Sequence, residues 1–322
     1  MYSAILLAGY NNKRAVEKYI HIVEEDYGEH FIETGYKPLH EFSITIDGKT
    51  VKKPLLQFTL EVLVRDDLIS EIIIVGHINQ IKNRMIKYLN TVEKPIIYVD
   101  QNEEIPGKIK QIFSIHDKET PKDTVGGNLI KGYVASQAYL SRAPALFVAS
   151  DSPMTTLDYI NRFIDRCESH IKTCGILLPV VYTNPVKDKL GRPPLLLIND
   201  TAVEIPEKTD RFGRTGFRLS SLMMGNPFAV DVNMINVMYS LRKALNPKTQ
   251  LRIFRICREV GFPRIYNRYF VKKNLSMTQC EKICTAFFKG DFKAVLMHDI
   301  KSTYDFDGTE KEFIEINRML KE

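Results

Sequence analysis

Several short stretches carry side chains suited to holding phosphate. Leu6-Leu7-Ala8-Gly9 runs into Tyr10-Asn11-Asn12-Lys13-Arg14. Backbone amides in a glycine turn can cradle phosphate oxygens, and the cations behind it can neutralise a leaving pyrophosphate. Further on, the apolar run from Ala145 ends in Ser150-Asp151-Ser152-Pro153, a carboxylate followed by a proline turn. Between them stands Thr124-Val125-Gly126-Gly127-Asn128. Its glycines let backbone approach a planar ligand and its Asn offers both a donor and an acceptor. The same residues also read as an ordinary helix cap. Arg211, Arg214 and Arg218 follow, suited to bidentate phosphate binding or to a solvated loop.

The elements that must position these groups follow from hydrophobic patterning. Apolar runs at Ser3–Ala8, Glu71–Gly76, Pro95–Val99, Ala145–Ser150 and Gly175–Val181 are apolar on both faces, the mark of buried parallel strands. Helical spacing occupies Pro54–Arg65, Asn79–Leu89, Asn128–Leu140 and Thr156–Cys167 between them. The alternation predicts an α/β fold, a mostly parallel Rossmann-like sheet flanked by helices with right-handed crossovers. Ligands of such sheets lie at the carboxyl ends of the strands, which singles out Gly9, Asp100 and Asp151. The pattern changes at 183–227, rich in Pro, Gly and Arg, which reads as an acceptor-facing insertion within a core spanning 1–232. Helical patterns return at Asn233–Leu245, Lys248–Val260 and Ser276–Lys289, then a strand at Ala294–His298 and a helix from about Thr309. Residues 233–322 therefore read as a helical C-terminal elaboration that returns to the core.

Composition is that of a globular enzyme, with 44% hydrophobic and 26% charged residues and a formal charge of +6. That excess reads as spread along the chain, in keeping with a polyphosphate substrate and with no nucleic acid as partner. The amino terminus lacks a basic leader or cleavage site, and no run of about 18 apolar residues occurs, so the expectation is a cytoplasmic protein with no membrane partner. Five cysteines without a CxxC pair argue against zinc and against a disulfide framework. Cys280 and Cys284 read as core positions.

Taken in order, these motifs resemble the sugar nucleotidyltransferase superfamily, above all its MobA-like NTP transferase branch with the GT-A-type fold. The resemblance rests on Leu7, Ala8, Gly9 and Arg14, on Lys37 and Leu39 in Gly35-Tyr36-Lys37-Pro38-Leu39, and on Pro54-Leu55 at a helix start. It continues through Gly126-Gly127-Asn128, the strand ending in Asp151-Ser152-Pro153, Gly225-Asn226-Pro227, and Asp305-Phe306-Asp307-Gly308-Thr309. Tyr10 replaces the family's second glycine, and Asn12 stands where Gly or Ser is usual. The resemblance implies transfer of a nucleoside monophosphate from an NTP to a phosphorylated small-molecule acceptor, with release of pyrophosphate. It assigns Mg2+ to Asp151 with Asp305 or Asp307, phosphates to Arg14 and Lys37, and the nucleotide to Leu7, Ala8, Gly9, Gly126, Gly127 and Asn128. It places Asn226 beside the acceptor, whose phosphate Arg211, Arg214 and Arg218 suit by their guanidinium chemistry.

Rival readings differ in what they require. A GT-A-type glycosyltransferase usually carries Asp-x-Asp at the metal strand, whereas this strand reads Asp151-Ser152-Pro153. A nucleotide-binding regulator without catalysis is consistent with Tyr10. Gly48-Lys49-Thr50 suggests an ATPase, but Ser43 stands where a phosphate loop needs glycine, and Asp47-Gly48 reads as a hairpin turn.

Overall fold

The computed structural model describes residues 1–9, 36–46, 49–118, 120, 124–183, 194–201, 210–241, 251, 255–259, 261–265, 267–306 and 310–321. Its strands are β1 (Tyr2–Ala8), β2 (Glu41–Ile46), β3 (Lys49–Pro54), β4 (Ile69–Gly76), β5 (Ile96–Asp100), β6 (Ala145–Ala149) and β7 (Ile176–Thr183). Then come β8 (Leu195–Leu197), β9 (Thr215–Leu219), β10 (Leu222–Gly225) and β11 (Phe292–Met297). The α-helices are α1 (Leu55–Arg65), α2 (Ile78–Leu89), α3 (Gly107–Ile112), α4 (Val125–Val134), α5 (Gln137–Ser141), α6 (Leu157–Cys167), α7 (Asn233–Leu241), α8 (Met277–Phe288) and α9 (Glu310–Lys321).

Strands β5, β4, β1 and β6 lie side by side, all parallel. β10 inserts antiparallel between β6 and β7, so β6 and β7 point the same way. β11 adds parallel to β7, which returns the C-terminal part of the chain to the main sheet as its sequence pattern suggested. β9 runs antiparallel to the last residues of β7, and β8 antiparallel to β9. Thr215–Leu219 and Leu222–Gly225, within the stretch read as an insertion, are thus strands of the main sheet.

Alternation along β1 divides the core. Ala4, Leu6 and Ala8 join Leu56, Leu60 and Leu63 of α1 and Tyr159, Ile160 and Phe163 of α6 on one face. Ile5 joins Ile73, Val75 and, from α4, Leu129, Ile130 and Tyr133 on the other. Each fully buried aliphatic side chain contributes roughly 1.5–3 kcal/mol, and both faces of β1 are covered, which explains its unbroken apolar run. α4 and α5 replace the single helix expected over 128–140, because the chain turns extended at Ser136 (φ −97°, ψ 160°). α4 begins before Asn128, since the Thr124 hydroxyl accepts from the Gly127 amide and caps it.

β2 and β3 pair antiparallel with Ile46 opposite Lys49, the register of a hairpin joined by two residues. The C-terminal α9 packs on this hairpin through Phe42, Leu55, Phe306, Phe313 and Ile316, and Asn317 Oδ1 accepts from the Ser43 amide at 2.8 Å. The hairpin and the C-terminal segment are therefore fixed to each other beside the sheet. Among the described residues no helix is long and apolar enough to cross a membrane.

Candidate active site at the carboxyl edge of the sheet

The chain leaves β1 at Gly9, in close contact with two side chains. A Cβ on Gly9 would stand 2.2 Å from Asn128 Nδ2 and 3.0 Å from Gln101 Oε1, so any side chain here would push the Asn128 amide aside. Asn128 comes from the first turn of α4 and is 4% exposed. Its Oδ1 is buried with no hydrogen-bond partner among the described residues. A buried amide oxygen left unpaired costs about 1–3 kcal/mol, so it is a ready acceptor for a ligand donor.

Gln101 follows β5, and its Nε2 lies 3.0 Å from His77 Nε2, the first residue beyond β4. Tyr36 locks β1 to β4: its hydroxyl donates to the Ala8 carbonyl and accepts from the His77 amide at 3.2 Å. Burial raises the Tyr36 hydroxyl well above the ordinary phenol range, so it stays a donor across neutral pH. Lys131 of α4 donates to the Gln101 carbonyl and holds the β5 loop against the helix. Sequence reasoning missed Tyr36, His77 and Gln101. The signal available for the last two was their place immediately after an apolar strand.

The second part of the edge is ionic. Lys37 Nζ lies 2.8 Å from Asp151 Oδ2, the two side chains 7% and 24% exposed. Lys37 stands in the single 3-10 turn Lys37–Leu39 that follows Tyr36. Asp151 sits just beyond β6. Asp305 reaches the same place from the far end of the chain: the Phe306 amide donates to the Asp151 carbonyl at 2.8 Å. The Ser152 and Ser221 hydroxyls lie 2.6 and 2.5 Å from Asp305 Oδ1 and 2.7 Å from each other. Phe306 is completely buried among Phe42, Leu55 and Phe313, which anchors the loop bearing Asp305.

The other candidates fall differently. Arg14 and Asp307 lie outside the described residues. Leu7 and Ala8 are strand residues whose carbonyls accept from the Ser150 amide and from Tyr36. Gly126 and Gly127 are helix-cap residues here: their amides donate to Asn236 Oδ1 at 2.8 Å and Thr124 Oγ1 at 3.3 Å. Asp100, singled out by its place after β5, accepts from the Asn102 amide and fixes the turn that presents Gln101. Arg214 is held by Asp210 at 2.7 Å, and Arg211 stacks on Phe212 at 4.8 Å. Arg218 is buried in β9 opposite Val181, near the carboxyl end of β7. Asn226 does not reach this edge. Because β10 runs antiparallel, Gly225 pairs with Ala145 at the start of β6, and Asn226 caps Phe228 at the opposite end of the sheet.

The fold itself is shared with known proteins. The chain is similar in structure to a hypothetical transferase from Thermus thermophilus, with TM-score 0.54, 15% identity, and 97% of this chain and 99% of that one covered. It is similar also to a CMP:2-keto-3-deoxy-manno-octonic acid synthetase complexed with CTP, with TM-score 0.54, 9% identity, and 99% and 98% covered. These likenesses are of fold: they share the mostly parallel α/β sheet flanked by helices that the sequence pattern predicts. No family model matches the chain, and no curated protein matches it.

Proposed function

We propose that the chain is a nucleotidyltransferase that moves a nucleoside monophosphate from an NTP to a phosphorylated small molecule, a sugar or polyol phosphate or similar, and releases pyrophosphate. The observation that carries this reading is the meeting of Lys37, Asp151 and Asp305, from three distant stretches of chain, beside the Gly9–Asn128 contact. In this reading the nucleoside lies against Gly9, with Asn128 Oδ1 accepting from it. Lys37 neutralises phosphate charge, and Arg14 is assigned the same task. A phosphate oxygen of the acceptor attacks the α-phosphorus in line and pyrophosphate leaves. A phosphate dianion is already nucleophilic near neutral pH, so positioning and charge neutralisation suffice without a general base. Arg211, Arg214 and Arg218 are assigned to the acceptor side, next to β9. The division into a core over 1–232 and a C-terminal elaboration over 233–322 belongs to the same reading.

Asp151 and Asp305 fit Mg2+: they are hard oxygen donors on adjoining backbone, and this ion takes one or two carboxylates alongside phosphate oxygens and water. The ion supplies charge stabilisation on the triphosphate when bound. Ser152 and Ser221 orient Asp305, and Lys37 holds Asp151 in place.

The test is pyrophosphate release from each of the four NTPs with Mg2+, against a panel of sugar phosphates, polyol phosphates and phosphonates. Release that requires one NTP and one acceptor supports the reading and names both substrates. NTP binding without release under any acceptor favours a regulator instead.

A further inference from the structure

The charge of this protein is not spread along the chain as the sequence reading held. Residues 251–273 contain seven Lys or Arg and one acid, a net +6 equal to that of the entire chain. The remainder balances, with 38 basic and 38 acidic residues.

The segment is two-sided. Ile256, Ile265 and Tyr269 pack against the apolar clusters beneath β7, β11 and α8, and Cys257 is buried. That docking turns Arg255, Arg258, Arg264, Arg268 and Lys272 outward, and all five are exposed. None of the five is paired with an acid among the described residues. Three apolar side chains share the segment's exposed surface: Leu251 is 69% exposed, Phe270 48% and Val271 68%. Gly261 (φ +89°) turns the chain after Arg258, with the Phe262 amide donating to the Cys257 carbonyl at 2.7 Å. Lys273 joins this surface to the loop before β9, with its Nζ 4.1 Å from the Phe212 ring centroid.

We propose that the described residues of 255–273, with Leu251, form a peripheral docking surface for an anionic lipid bilayer. Exposed cations with no acid partner among the described residues match a surface of lipid phosphates, and each contributes additively near such a surface. The exposed aliphatic Val271 and Leu251 gain by entering the acyl boundary, and they offer no flat face to a nucleic-acid base. Phe212 does not serve as a base platform either, since Arg211, Arg214 and Lys273 already lie over its ring at 4.8, 5.4 and 4.1 Å. The bilayer then lies beside β9, which pairs with the carboxyl end of β7.

The experiment is co-sedimentation of the full chain with vesicles of phosphatidylcholine alone, and of phosphatidylcholine with phosphatidylglycerol. A duplex DNA oligonucleotide serves as competing polyanion. The expected result is partition onto the anionic vesicles only, weakening as salt rises. Arg264→Glu/Arg268→Glu/Lys272→Glu lowers partition by at least ~100-fold, at about fivefold for each cation lost. Phe270→Ser/Val271→Ser lowers vesicle binding several-fold, and the oligonucleotide leaves the bound protein on the anionic vesicles. All five positions are exposed, so the melting temperature stays that of the unaltered chain. Equal partition onto both vesicle types overturns the proposal. So does vesicle binding indifferent to Phe270→Ser/Val271→Ser, or an oligonucleotide that displaces the protein from the anionic vesicles.

Discussion

The two ends of one sheet treat buried polar groups in opposite ways. At the amino end they close on each other: Glu71, 6% exposed, accepts from the Ser3 hydroxyl at 2.7 Å and from the Gln137 amide at 2.6 Å. Asn226 at the same end accepts from the Phe228 amide and donates to the Arg142 carbonyl. At the carboxyl end Asn128 Oδ1 is buried without a partner among the described residues, its amide occupies the space a side chain on Gly9 would take, and Lys37 and Asp151 pair at the edge of solvent. Closed networks hold a fold together, whereas an incomplete one keeps capacity for a ligand at some cost in stability. The contrast assigns structure to one end and chemistry to the other.

Substitutions at each end sharpen that contrast. Asp151→Asn keeps the size of the side chain and a hydrogen bond to Lys37 while removing the charge. The expected loss of pyrophosphate release is about 10³-fold, on the order of 4 kcal/mol, with little change in melting temperature. A near-normal rate breaks the assignment of this end to catalysis. Glu71→Ala strands the buried Ser3 hydroxyl and the part-buried Gln137 amide at the other end and is expected to lower unfolding free energy by about 1–3 kcal/mol. Measured by urea denaturation, that loss should come with an unchanged kcat/KM for the folded fraction.

A pH-dependent effect belongs to His40, in the aromatic cluster that anchors the Asp305 loop. The ring is wholly buried, 5.0 Å from both Phe306 and Phe313, and burial pushes its pKa down to about 3. In the unfolded chain a histidine binds its proton near pH 6.5. Between those values the unfolded state holds more protons, so stability is full above about pH 6.5 and falls toward pH 3, by at most about 1.4 kcal/mol per unit. His40→Leu should flatten this acid limb of the melting temperature. An identical limb in the variant would place the acid sensitivity elsewhere.

The parallel half of the sheet was legible because strands covered on both faces carry continuous apolar runs, as β1 does from Ala4, β4 from Ile72 and β6 throughout. β9 and β10 were not legible. Thr215-Gly216-Phe217-Arg218-Leu219 carries no such run, because its place in the sheet comes from pairing with β7 and β8 rather than from composition. The same antiparallel reversal carried Asn226 away from the edge where its motif suggested it belonged. Asp151 could be read from its place at a strand end. Gln101 and His77 could not be ranked, since nothing local marks which residue after a strand turns inward. The capping role of Gly126 and Gly127 was an open alternative in the sequence, and their amides do donate to Asn236 and Thr124.

The most direct measurement is calorimetric titration of each of the four NTPs, with Mg2+, into the unaltered protein and into Gly9→Ala. The methyl group would displace the Asn128 amide from the gap it now fills. The expected result is saturable binding of at least one NTP, weakened by about 100-fold or more in a variant that melts normally. No binding by the folded protein, or equal binding by Gly9→Ala, would contradict the placement of a nucleotide at this edge.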